Sequence, residues 1–217
     1  CPISVYVRGG RTEIATLLWG AGPLQAGHVA QGDQNLEGPM ALDVDSQGAV
    51  WLLDQVNERL LVLATGQAPR ALPAPRTAQD IALDGAGHPW LLDRLVAREL
   101  RHLDPLSGAV LQSLGLAAAG VAEPGLSTAL WWHQGGLWLE MENTHLVPLQ
   151  GKAVPLKGRP SRDGKWLLSA LRVPPDKVAV VGTAPNQAET EAPKLALQAE
   201  FPLPIWAIAD LDSDAAG

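Results

Sequence analysis

The chain has 217 residues, a formal net charge of −7, one cysteine, 22 glycines and 18 prolines. No run of ~18 apolar residues reads as a membrane-spanning helix, and one cysteine excludes an intrachain disulfide framework and a cysteine-based zinc finger. The 16 basic residues are dispersed along an acidic chain, which argues against nucleic acid as a partner.

Abundant glycine and proline point to short strands joined by turns rather than to a helical bundle. In chain order, residues 3–7 and 12–18 read as strands on either side of Gly9-Gly10. Asp45-Ser46-Gln47-Gly48-Ala49-Val50-Trp51-Leu52-Leu53-Asp54 is a polar turn followed by a Trp strand. It returns as Asp84-Gly85-Ala86-Gly87-His88-Pro89-Trp90-Leu91-Leu92-Asp93. Residues 56–63 and 96–103 follow as third strands. A looser copy runs through Ala129-Leu130-Trp131-Trp132, a turn at 133–136, and Leu137-Trp138-Leu139. A fourth has a strand at 166–171, a turn at 174–177, and Val178-Ala179-Val180-Val181. Residues 205–211 are apolar, and 212–217 read as a turn.

Tyr6, Trp51, Trp90, Trp138 and Val180 then fall at one second-strand position, at spacings near the ~40–50 residues of a four-stranded propeller blade. Joining the C-terminal strand to the N-terminal strands completes a fifth copy. The expected fold is all-β: a five-bladed β-propeller whose N- and C-terminal strands close one shared blade. The blades are expected at 205–217 with 1–36, then at 37–75, 76–116, 117–160 and 161–204, in a single domain.

One stretch carries a family signature. Gly32-Asp33-Gln34-Asn35-Leu36-Glu37-Gly38-Pro39 leads into Leu42-Asp43-Val44-Asp45, then Trp51-Leu52-Leu53-Asp54 and Asn57-Glu58-Arg59-Leu60. Residues 32–63 resemble an NHL-type propeller repeat, with its glycine-rich lead-in, inner strand and Asn-x-Arg entry to the third strand. The match is fair over 76–103 and weak over 120–203, where the Asn-x-Arg element is missing. The resemblance implies a propeller and no single chemistry, because such modules bind protein, bind RNA or catalyse.

Trp51, Trp90 and Trp138 recur with the fold, so they are expected to fill the wedge between blades. Trp19 and the adjacent Trp131-Trp132 are candidates for a partner-binding surface, since neighbours on a strand face opposite sides. Asp210, Asp212 and Asp214 have the alternate spacing of a calcium loop, but Ala215 stands where such loops need glycine. Asp is also an ordinary turn former here. Glu37, Asp80, Glu123 and Asp163 precede inner strands and are candidates to converge at the channel mouth, where carboxylates serve hydrolysis or hold Ca2+. His28, His88, His102, His133 and His145 show no metal-site spacing, so structural or surface roles are expected. No nucleophile elbow, P-loop or dinucleotide fingerprint occurs.

Cys1 fits the lipid-carrying residue left by bacterial lipoprotein processing; a trimmed start gives the same residue. The reading is therefore a non-catalytic scaffold or protein-binding subunit of a bacterial cell-envelope assembly. It is anchored to the membrane through Cys1, at the periplasm or cell surface, with protein partners and no cofactor. The alternative is a calcium-dependent, lactonase-like enzyme or small-ligand binder at the channel mouth, secreted or cytoplasmic.

Overall fold

The computed structural model describes residues 3–7, 12–30, 37–149, 154–161, 163–173, 177–184 and 194–200. Among these, the strands form five sheets. The first holds β1 (Ile3–Val7), β2 (Thr12–Trp19) and β3 (Gln25–Ala26), with β3 parallel to β2. The second is β4 (Ala41–Val44), β5 (Val50–Asp54), β6 (Arg59–Leu63) and β7 (Arg70–Pro73). The third is β8 (Asp80–Leu83), β9 (Pro89–Asp93), β10 (Glu99–Leu103) and β11 (Val110–Gly115). The fourth is β12 (Ser127–His133), β13 (Gly136–Met141), β14 (His145–Pro148) and β15 (Leu156–Lys157). The fifth is β16 (Arg159–Pro160), β17 (Leu167–Val173), β18 (Lys177–Thr183) and β19 (Lys194–Glu200). The last four sheets are antiparallel meanders in chain order, and the fold is all-β, built of propeller-type four-stranded sheets. Among the described residues no helix is long and apolar enough to cross a membrane.

The turns follow from their residues. Asp45 Oδ1 accepts from Gln47 N and Ala49 N at 2.9 Å, and Gly48 sits at φ +82°, where a side chain is strained. Asp84 and Gly87 repeat this geometry in the next sheet. β12 and β13 meet through Gln134 (φ 51°) and Gly135 (φ 75°), the two-residue hairpin turn that matches strand twist.

Alternation along the second strands feeds two cores. Trp51, Leu53, Leu60 and Val62 pack on Ile81, Leu83, Leu91 and Leu103 of the following sheet. Trp90, Leu92 and Leu100 pack on Leu130, Leu137 and Leu139 of the one after. On the other face of the second sheet, Val50, Leu52 and Leu61 meet Leu17 and Ala26. Trp51, Trp90 and Trp138 are all buried, as wedge residues should be. An indole removes ~150–250 Å² from water, worth about 4–6 kcal/mol at ~25 cal/mol/Å².

The Asn-x-Arg element has a structural task. Asp54, fully buried, accepts from Arg59 Nε (2.9 Å), Asn57 Nδ2 (2.9 Å) and Gly27 N (2.8 Å). Arg59 then donates to the carbonyls of Ala21, Gly22 and Gln25, and Asn57 to that of Gly20. This network ties the second sheet to the loop that joins β2 and β3.

One strand departs from the expected order. Val180 lies on β18, the third strand of its sheet, and the second strand is β17, entered at Trp166. The first strand, β16, has two residues and contains Pro160, too short to show alternation in sequence.

Candidate functional site

The first strands β4, β8 and β12, together with residues of the 159–164 segment, line a cavity of about 1170 Å³. Its carboxylates bridge strands. Asp43 Oδ1 accepts from Val44 N (2.7 Å), and Oδ2 from Leu83 N of the next first strand (2.8 Å). Asp80 repeats the device one sheet on: Oδ1 accepts from Ile81 N (2.9 Å) and Oδ2 from Leu130 N (2.6 Å). Beside them Glu140 is buried and holds Arg159 through two bonds, Nε to Oε1 at 2.7 Å and Nη2 to Oε2 at 3.0 Å. Thr128 Oγ1 donates to Glu140 Oε2 at 2.8 Å, and the Arg159 guanidinium lies 5.8 Å from the centre of the Trp131 ring.

Burial pushes the Asp80 carboxyl up to about 7, with the charges of Asp43 and Glu140 adding to the rise; the two backbone donors oppose it and lose. The unfolded chain releases this proton near 3.8 and the folded protein keeps it to about 7. The contribution is therefore complete below about pH 4 and falls as the pH rises through 7. Asp80→Asn cannot ionise, so its unfolding midpoint in urea is expected to lose less than the wild type's between pH 4 and 8. Parallel pH curves for the two proteins would refute the assignment.

The four carboxylates expected at the channel mouth part company. Asp80 and Asp163 line the cavity. Asp163 is tied to Lys165 Nζ (2.8 Å) and Ser161 Oγ (2.6 Å), and these bonds, that to Lys165 foremost, hold it down to about 2. Glu37 is exposed and 3.5 Å from Arg76 Nη2, and Glu123 is exposed ahead of a short 3-10 turn, Pro124–Leu126. Neither is part of the cavity wall. The acids brought together are Asp43, Asp80 and Glu140. Asp43 and Glu140 escape a sequence reading because convergence depends on which sheets adjoin.

Trp131 and Trp132 are partly buried and line the cavity, and Trp132 also packs on the Leu130–Leu139 core. Trp19 is 37 % exposed and tilts against His28 with ring centres 4.6 Å apart. Cys1 and Asp210, Asp212 and Asp214 lie outside the described residues. One further cluster forms at the β8–β9 turn: Asp84, His88 and His102 bring a ligand atom each within 4.8 Å of one another. His88 sits in the turn and His102 on β10, so short-range spacing misses them. Comparing the two Trp repeats finds both, because Ala49 and Val62 occupy their places in the first.

No family model and no curated protein sequence matches the chain. Among solved structures, virginiamycin B lyase from Staphylococcus aureus is similar at 11 % identity and a TM-score of 0.44, over 82 % of this chain and 63 % of that one. Kuenenia stuttgartiensis hydrazine synthase is similar at 11 % and 0.46, over 71 % and 48 %. YCF48 bound to D1 peptide is similar at 14 % and 0.41, over 70 % and 52 %. The chain thus spans between 48 % and 63 % of the length of these proteins.

Proposed function

We propose that this protein is a non-catalytic propeller-type scaffold that holds a partner protein at the mouth of its central cavity. The observation that carries this reading is the employment of Asp43 and Asp80 on the cavity wall and of Glu140 beside Asp80. Asp43 and Asp80 each span adjoining first strands, and Glu140 is held by Arg159 and Thr128. Hydrolysis or calcium binding needs acids that are free to move a proton or face a cation. Met40 and Leu42, each 49 % exposed, border the same cavity as Trp132. Exposed apolar side chains beside an aromatic ring are the kind of surface on which protein partners anchor.

A photo-crosslinking residue at position 42 is expected to capture a discrete partner in extracts of the source cell. One at Leu106, more solvent-facing still but away from the cavity, is expected to give none, and Trp132→Ala to weaken the adduct at 42 by about tenfold, the effect of losing ~1.4 kcal/mol. Equal labelling from both positions would refute the reading.

A second reading has its own observation. Arg94 Nε, Trp131 Nε1 and His133 Nε2 are buried without a hydrogen-bond partner among the described residues, and all three side chains belong to the cavity wall. Burial holds the His133 imidazole below its usual range, hence neutral. Each orphaned group costs about 1–3 kcal/mol, which a small polar ligand in the cavity would recover. A ligand of that kind would raise the melting temperature of the wild type and not of Arg94→Met.

A further inference from the structure

Asp84, His88 and His102 lie where the second Trp repeat departs from the first. In the first, Asp45 Oδ1 serves the turn and Oδ2 accepts from the Trp51 indole Nε1 at 3.1 Å. In the second, Asp84 Oδ1 does the same turn work for Ala86 N and His88 N. Its Oδ2 instead lies 3.3 Å from His102 Nε2, and Trp90 Nε1 is left buried without a partner. Two exchanges between the repeats produce this: His88 stands in the place of Ala49, and His102, opposite Trp90, in that of Val62, opposite Trp51.

The imidazoles are well placed. The His102 ring lies flat on Trp90, with centres 4.3 Å apart and 5° between planes, which fixes its direction. The His88 ring centre is 5.3 Å from that of His102. His102 Nε2 is buried beside the Asp84 carboxylate yet makes no aligned hydrogen bond. A buried ring nitrogen aimed at a carboxylate, with no hydrogen bond to satisfy it, has the surroundings of a metal ligand.

We propose that Asp84, His88 and His102 form a binding site for a divalent transition-metal ion of the zinc class. Two imidazole nitrogens and one carboxylate suit Zn2+, Co2+, Ni2+ or Cu2+; Ca2+ and Mg2+ take oxygen ligands. Tetrahedral ligands at ~2.0–2.2 Å from zinc lie ~3.3–3.6 Å apart. The Asp84–His102 pair, at 3.3 Å, meets this already. The partly exposed His88 closes the remaining distance by side-chain rotation. Three protein ligands leave a position open for water or a further ligand, and Asp84 itself belongs to the cavity wall.

The test is titration of Zn2+ into the wild type, His88→Ala and His102→Val. Both variants install the residue that the sister repeat carries on the same backbone, so the fold accommodates them. The wild type is expected to bind one Zn2+ and to melt higher with it. Each variant is expected to bind at least ~10-fold more weakly and to lose the melting shift. Equal binding by all three proteins, or none by the wild type, overturns the proposal. X-ray absorption at the zinc edge of the wild type, loaded with one equivalent, reads the ligands without any variant. Two imidazoles at the zinc are expected, and one or none overturns it.

Discussion

Asp54→Ala is expected to destabilise the protein by about 3–5 kcal/mol, measured by urea unfolding at neutral pH. The carboxylate is fully buried, and it is the counter-charge of Arg59, itself only 13 % exposed. Its loss leaves a guanidinium held by three carbonyls with no opposite charge, and it strips Gly27 N of its acceptor. The double variant Asp54→Ala/Arg59→Leu is expected to cost less than the two single changes summed, because no lone charge is left behind. A cost below about 1 kcal/mol for Asp54→Ala would show that the network holds nothing together. In the third sheet the matching buried acid, Asp93, has no arginine: its Oδ1 accepts from Val96 N at 2.9 Å, and its Oδ2 is buried without a hydrogen-bond partner among the described residues. There Glu99 faces Asp93 and turns to Arg101 Nε at 2.6 Å. Burial alone would raise the Asp93 carboxyl. The Thr77 hydroxyl and the N–H groups of Val96, Ala97 and Leu95 outweigh it and leave the group below its usual range.

Glu140→Leu alone is expected to cost about 3–5 kcal/mol, whereas Glu140→Leu with Arg159→Leu is expected to be neutral or stabilising by ~1–4 kcal/mol. Glu140 stands two residues after Trp138, where Leu53 follows Trp51 and Leu92 follows Trp90. In those sheets the position is a buried leucine in the inter-sheet core. The ion pair therefore replaces apolar packing between β13 and β16, and two desolvated charges repay little beyond their mutual attraction. Urea unfolding of the two single variants and the double variant decides it. A double variant as unstable as either single one would mean that the pair carries a net stabilising role, with Thr128 and Trp131 as its supports.

These two sites show where a sequence is informative. The Asp54-to-Arg59 stretch is legible because its geometry is local: a strand end, a tight turn and the next strand bring the groups together. Glu140 and Arg159 lie on different sheets, and nothing within either segment marks the other. The same division runs through the cavity. Asp80 stands out as an acid ahead of an inner strand, but its companions Asp43 and Glu140 reach it only through the stacking of β4 and β12 on β8, with β13 carried by its pairing to β12. Glu37 and Glu123, equally prominent in sequence, end in exposed segments.

The strands, hairpin turns and buried indoles of the second and third sheets are legible in the residues alone. Alternation, turn chemistry and a repeated Trp are properties of ten consecutive residues, and Asp45 and Asp84 do the same backbone work in both copies. Which strand of the last sheet is second, which acids share a cavity, and that His88 and His102 come to Asp84 are set by the packing of distant segments. Each of those depends on register between strands or on the order of sheets. A one-residue slip turns every side chain to the other face, and burial against the neighbouring sheet fixes the choice.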